Sequence, residues 1–257
     1  MAPSAPVYIV TGASRGLGKN TAELLLAAPT SANIVAVART EASLSELASK
    51  YPGQVETVCG DLSDYSTGVK AVEAAIAKFG KLDGIVFNAA VIAPVATVGT
   101  VDIDEFKKLF DINYFSSLVT MKAALPHLKK TKGHVVFVSS IASHEAHYYG
   151  WEAYGASKAC VDHLAATLAV EEPELFFVSI DPGVMDSDMQ KEIREKHGSK
   201  MKEDHIEYLM KVKETGSILS TAGPANVIST LVVKGPLELN GQYHVFDSEV
   251  LSPYLKA

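Results

Sequence analysis

Short aliphatic runs recur along the chain, and most are followed by a longer stretch whose apolar residues return every three or four positions. The runs at 7–10, 34–38, 55–59, 85–87, 135–138, 176–180 and 243–246 predict strands. The periodic stretches at 17–28, 41–50, 66–79, 104–128, 151–170 and 224–233 predict helices. The strand segments show no alternation of polar and apolar positions, the pattern of strands covered by helices on both faces. This order predicts a single-domain α/β protein over 1–257, with about seven strands in a doubly wound, Rossmann-type parallel sheet. Ligands of such sheets sit beyond the carboxyl ends of the strands, so the residues after each strand are where chemistry is sought.

Composition narrows the class. The 257 residues are 47% hydrophobic and 21% charged, with a formal net charge of −7, which describes a globular chain. An acidic balance argues against nucleic acid or an anionic membrane as partner. Residues 84–101 carry no charge, but Asn88, Pro94 and Gly99 interrupt them, and a buried strand running into a loop reads the same way. Cys59 and Cys160 have neither CxxC spacing nor a neighbouring histidine pair, so no disulfide framework or zinc site is expected. No targeting segment is evident at the N-terminus, which makes the cytoplasm the default location.

The first strand runs into Thr11-Gly12-Ala13-Ser14-Arg15-Gly16-Leu17-Gly18, and a helix follows at once. Glycines there allow a tight turn and close approach of backbone to a pyrophosphate, and the helix N-terminus supplies N–H donors. Gly12, Ser14, Arg15, Gly16, Leu17 and Gly18 are therefore candidate cofactor contacts. An NAD enzyme would carry an acid near the end of the second strand, but Ala38-Arg39-Thr40 stands there. Arg39 and Arg15 could clamp a 2′-phosphate, which favours NADP(H), or they could be ordinary surface arginines. After the third strand, Asp61 and Leu62 are placed to meet the adenine, although Asp61 could equally cap the next helix. Asn88 follows the fourth strand, where its amide could tie neighbouring strand ends together.

The fifth strand ends at Ser139-Ser140, and the next helix carries Tyr154 and Lys158, four residues apart and so on one face. A nearby ammonium favours phenolate, and a tyrosine tuned in this way can exchange a proton with a carbonyl oxygen. Ser140 would hydrogen-bond the same oxygen.

Together, Thr-Gly-x-x-x-Gly-x-Gly, Asn88-Ala89-Ala90, Asn113, Ser140, Tyr154-x-x-x-Lys158 and Pro182-Gly183 resemble the short-chain dehydrogenase/reductase family over nearly the whole chain. The resemblance implies a nicotinamide cofactor and a catalytic set of Asn113, Ser140, Tyr154 and Lys158. In it Lys158 binds the nicotinamide ribose, and Asn113 holds a water that extends the proton relay. Pro182, Gly183, Val184 and Ser187 would line the nicotinamide and its phosphate. It further implies a homodimer through paired helices, or a homotetramer. Within the family, the segments around Ser139-Ser140, 151–158, 181–190 and 240–243 resemble fungal benzil reductases of the sepiapterin-reductase-like group. Those enzymes reduce one carbonyl of an aromatic 1,2-diketone with NADPH.

Three positions depart from the family pattern: Ala90 stands for a glycine, Phe87 for an asparagine, and Ser140 lies 14 residues before Tyr154 rather than 13. The last leaves the choice of Ser140 over Ser139 to the local motif.

The segment 186–216 breaks the βα rhythm at a strand's carboxyl end and reads as a substrate lid, with amphipathic surface helices as the plainer reading. Met185 and Met189 could pack on an apolar substrate, with Glu145 and Trp151 shaping the mouth of its pocket. His144 and His147 lie close in sequence but lack a third ligand, so no metal is expected. The expectation is an NADPH-dependent carbonyl reductase acting on a small carbonyl substrate. The alternatives are an alcohol dehydrogenase of the same fold and a non-catalytic NADP(H)-sensing protein.

Overall fold

The computed structural model describes residues 5–146 and 148–255. Seven parallel strands form one sheet: β1 (Val7–Thr11), β2 (Asn33–Ala38), β3 (Val55–Cys59), β4 (Gly84–Phe87), β5 (His134–Val138), β6 (Phe176–Asp181) and β7 (Tyr243–Val245). Their spatial order is β3-β2-β1-β4-β5-β6-β7, so the winding reverses between β1 and β4. That reversal opens the crevice in which a doubly wound sheet takes its ligand.

The central strands are buried on both faces, which is why their sequences are apolar throughout. Tyr8, Val10, Val86, Val136 and Val178 face one core, with α1 (Gly16–Leu26) and α9 (Ala222–Lys234) laid over it. Ile9, Val35, Ile85, Phe137 and Phe177 face the other, beneath α3 (Ser66–Phe79), α5 (Ser116–Thr131) and α6 (Glu152–Glu171). Phe87, where the family pattern has asparagine, stacks on Phe137 at 5.0 Å and fills this second core. Uniform burial fails at the sheet edge. In β3 Val55 is buried while Thr57 and Cys59 are exposed, because this strand has a neighbour on one side only.

The helix expected over 104–128 is instead two helices. α4 (Ile103–Phe110) and α5 are joined by a wider π turn at Asp111–Phe115. Asp102 caps α4 by accepting from the N–H groups of Asp104 and Glu105. The wider turn carries Asn113 inward to 2% exposure.

Residues 186–216 leave the sheet and return to the same point. The N–H of Asp186 donates to Leu219 O at 2.9 Å, and that of Leu219 to Val184 O at 3.1 Å. Between these ties run α7 (Asp188–Glu192), a π turn (Ile193–His197) and α8 (Glu203–Glu214). Ile193, Met201 and Leu209 pack with Ile92, Val95, Leu109 and Tyr154 in a third cluster, apart from both sheet cores. No helix among the described residues is long and apolar enough to cross a membrane, and the uncharged stretch 84–101 begins as β4.

Candidate active site

At the reversal point, Thr11 and Asn88 lock the ends of β1 and β4 together. The Thr11 hydroxyl accepts from the N–H groups of Asn88 and Ala89, and the Asn88 amide donates to Thr11 O at 2.9 Å. Asn88 thus performs the strand-tying role open to it, and it also lines the cavity beside it. Gly12 has φ +69°, and a Cβ there would lie 2.7 Å from the Asn88 amide nitrogen. At Gly18 an added Cβ would lie 2.3 Å from Gly12 O, so α1 can start this close to the strand only without a side chain.

A cavity of about 290 Å³ runs from Arg39, Asp61 and Leu62, past Ser14, Arg15, Gly16 and Leu17, to Tyr154 and Lys158. No side chain caps α1, so its first N–H groups are free to meet an anion. An uncapped helix start, an open glycine turn and flanking guanidinium groups fit a dinucleotide lying along this crevice. Gly18 and Asn113 line neither this cavity nor the substrate-side one described below.

Both arginines already face carboxylates. Arg15 pairs with Asp188 at 2.9 Å, and Arg39 lies 3.8 Å from Asp61. The sequence shows no acid competing at the end of β2, but the fold supplies one from the neighbouring strand. Asp61 also accepts from the N–H and hydroxyl of Ser63 but does not cap α3, which has no side-chain cap.

At the other end of the crevice, Tyr154 is 7% exposed and Lys158 3%. Ser140 lines the substrate-side cavity together with Tyr154, and its hydroxyl accepts from the N–H of Ala142 at 3.3 Å. Ser139 is buried beneath, its N–H donating to Ile180 O and its hydroxyl meeting Ser143. Lys158 Nζ donates to Val138 O at 2.6 Å and lies 5.8 Å from the centre of the Tyr154 ring. Burial pulls this lysine down to about 8, with Asp162 and Asp181 opposing. Burial also raises the Tyr154 phenol, outweighing the opposing influence of the Ser140 hydroxyl.

The Asn113 side chain is committed to protein. Its oxygen accepts from Val91 N at 2.9 Å, and its amide donates to Val91 O at 2.9 Å and Ser157 Oγ at 3.1 Å. Ser157 in turn donates to Tyr154 O at 2.7 Å. Asn113 thereby fixes α6 against the chain that follows β4.

A second cavity of about 130 Å³ meets the first at Tyr154 and Ser139. Trp151, Tyr148, Ile92, Ile141 and Leu209 give it an apolar and aromatic wall. Met185 and Met189 line both cavities, as do Pro182 and Ser187, whereas Gly183 and Val184 line only this one. Trp151 meets Tyr154 edge to face, with ring centres 5.8 Å apart, and stacks on Tyr148 at 4.5 Å. Ile92, Ile141 and Leu209 are absent from the sequence-derived set, since each comes from a different element and isolated aliphatics carry no signal.

Glu145 needs correction. It lines a third cavity, which shares Tyr148 and Trp151 with the substrate-side one, and is not among the residues lining the latter. His144 lies against the Tyr243 ring, His147 falls outside the described residues, and among those described no three His, Cys, Asp or Glu groups form a metal cluster. Asp181, at the end of β6, was not singled out either. It accepts from Gly183 N at 2.9 Å and Tyr243 Oη at 3.2 Å, holding the turn that carries Pro182.

The chain matches the short chain dehydrogenase family over residues 6–198. It is 40% identical to an uncharacterized oxidoreductase of Saccharomyces cerevisiae, over 97% of this chain and 98% of that protein. It is also 40% identical to a benzil reductase ((S)-benzoin forming) of the same yeast, over 96% and 98% respectively. The crystal structure of a short chain dehydrogenase/reductase from that yeast superposes with a TM-score of 0.94 at 40% identity, covering 97% of this chain and 99% of the other. Fold and comparisons together define an oxidoreductase. The protein belongs to the short-chain dehydrogenase/reductase family, whose members use NAD(H) or NADP(H).

Proposed function

We propose that this protein is an NADPH-dependent carbonyl reductase that reduces one carbonyl of a small vicinal diketone, with aromatic compounds of the benzil type preferred. The observation that carries this reading is the place of Tyr154, buried and sharing a pocket with Ser140 where a glycine-lined crevice meets an aromatic pocket. The bound cofactor supplies the hydride. Tyr154 donates its proton to the carbonyl oxygen, and Ser140 holds that oxygen with its hydroxyl. Lys158 holds the cofactor's ribose and sets the field around Tyr154. Asn113 keeps α6 in register rather than touching the reacting atoms.

Arg15 and Arg39 flank the crevice and would recognise a 2′-phosphate, the basis for NADPH over NADH. The flat Trp151–Tyr148 stack suits an aromatic ketone, and the named activity of the yeast relative is of this kind. Residues 186–216 act as the lid, bringing Met189, Ile193 and Leu209 over the substrate.

The test is cofactor consumption with benzil, phenylpropanedione and diacetyl, using NADPH and NADH in parallel. Turnover of aromatic diketones with NADPH and little with NADH supports the whole reading. Equal use of NADH overturns the role of the arginines, and silence on every carbonyl overturns the reductase.

A further inference from the structure

The segment 186–216 puts a buried amide into the wall of the substrate-side cavity. Gln190 lies in α7, is 5% exposed and lines that cavity beside Met189 and Ile193. Its backbone N–H donates to Ser187 Oγ at 3.3 Å, the cap of the helix. Ile193, one helical turn on, packs in the same cluster as Tyr154. Cap and packing together fix the helix that carries the Gln190 side chain.

Arg194 tells the two ends of the amide apart. A guanidinium only donates, so the Gln190 oxygen is the atom that meets it, accepting from Arg194 Nη1. The NH2 group is therefore turned away from Arg194, and among the described residues its nitrogen has no hydrogen-bond partner. A donor left unmade in a buried side chain is costly, so this one calls for an acceptor.

Most other polar groups of the cavity are engaged. The Ser139 hydroxyl meets Ser143, Asp181 accepts from Gly183 N and Tyr243 Oη, and Ser187 Oγ is the helix cap. Ser140 and Tyr154 belong to the carbonyl that is reduced. A vicinal diketone brings a second carbonyl oxygen beside the first, an acceptor that the reaction leaves unused.

We propose that Gln190 is a specificity-determining residue whose amide N–H donates to the carbonyl oxygen that is not reduced, selecting 1,2-dicarbonyl compounds over simple ketones. The inference rests on the reductase reading above for which carbonyl reacts; the contact itself needs only a diketone in the cavity. A site built to hydrogen-bond one group of its substrate discriminates against the analogue that lacks it.

The experiment compares benzil with deoxybenzoin, which has a methylene in place of the second carbonyl. Trp151 is the chain's single tryptophan and lines the cavity, so its fluorescence reports binding without turnover. With NADP+ present no reduction takes place, and Kd is read for both compounds in the wild type and in Gln190→Met, which keeps the length of the side chain and removes the donor. The Kd for benzil is expected to rise roughly fivefold, and that for deoxybenzoin to stay within about twofold. In reduction with NADPH the KM for benzil should rise by the same factor while kcat changes little. If Gln190→Met does not fold, Gln190→Glu retains an acceptor for Arg194 but has no N–H, and should weaken benzil at least as much. Tyr148→Phe, which removes the hydroxyl still unassigned in that wall, should leave the benzil preference intact.

An unchanged Kd for benzil overturns the proposal. So does an equal loss for benzil and deoxybenzoin, which marks a residue that only shapes the wall. Failure of the wild type to bind benzil overturns it together with the benzil-type substrate. A Gln190-dependent preference for benzil in a protein that oxidises no NADPH supports the contact while overturning the reductase reading, so the two failures are distinct.

Discussion

Arg15 in the glycine turn and Asp188 in the first turn of α7 form an ion pair of 2.9 Å across the mouth of the dinucleotide-side cavity. The contact joins the segment 186–216 to the loop that would carry the cofactor phosphates. Both side chains are more than half exposed, so the pair contributes at most about 1 kcal/mol to stability. Its interest lies in what Arg15 does when a 2′-phosphate competes with Asp188. Replacing Arg15 by Ala is expected to raise the KM for NADPH about tenfold or more, the usual worth of a charge-assisted contact, and to leave NADH within about twofold. Steady-state kinetics with both cofactors checks this, and a parallel loss for NADH would remove Arg15 from phosphate recognition.

Tyr154→Phe keeps the ring in its packed position and removes the proton. Cofactor affinity, read by fluorescence titration, should stay unchanged, while kcat falls by at least about 100-fold. Retained turnover would show that another group protonates the carbonyl.

Trp151→Ala opens the aromatic wall of the substrate-side pocket. The KM for benzil is expected to rise about tenfold, because the edge-to-face and stacked contacts are lost together, whereas diacetyl should change little. Equal effects on both diketones would mean that Trp151 shapes the fold rather than selects the substrate.

Asn113→Ala leaves Val91 N and O and the Ser157 hydroxyl without their amide partner. A cost of about 1–3 kcal/mol follows from unsatisfied buried groups, seen as a melting temperature lower by at least about 3 °C. An unchanged melting curve together with lost activity would instead assign Asn113 to the proton relay.

Lys158 also predicts a pH dependence of stability. Its folded-state pKa of about 8 lies below the ordinary 10.5, so burying the ammonium opposes folding wherever the unfolded chain is charged. The gap corresponds to roughly 3 kcal/mol, present in full below about pH 8 and relieved as pH climbs toward 10.5. Lys158→Met should therefore be more stable than wild type near neutrality, with the advantage shrinking in denaturant titrations between about pH 8 and 10. A constant difference across that window would show that the lysine is not held against its own charge.

The order of strands and helices was legible because each element carries its own period: continuous apolar runs for strands buried on both faces, and three-to-four spacing for the helices over them. The glycine turn and the Tyr154–Lys158 pair were legible for the same local reason, since a tight turn and an i, i+4 face need no distant partner. Where distant segments meet, one-dimensional reading stopped. Only the fold places Asp61 beside Arg39 and Asp188 beside Arg15, and puts Glu145 in a cavity other than the substrate-side one. The π turn that brings Asn113 to Val91 interrupts what reads as one helix. The level of the Tyr154 phenol was likewise decided by burial, a property of the whole packed molecule that the adjacent lysine does not reveal.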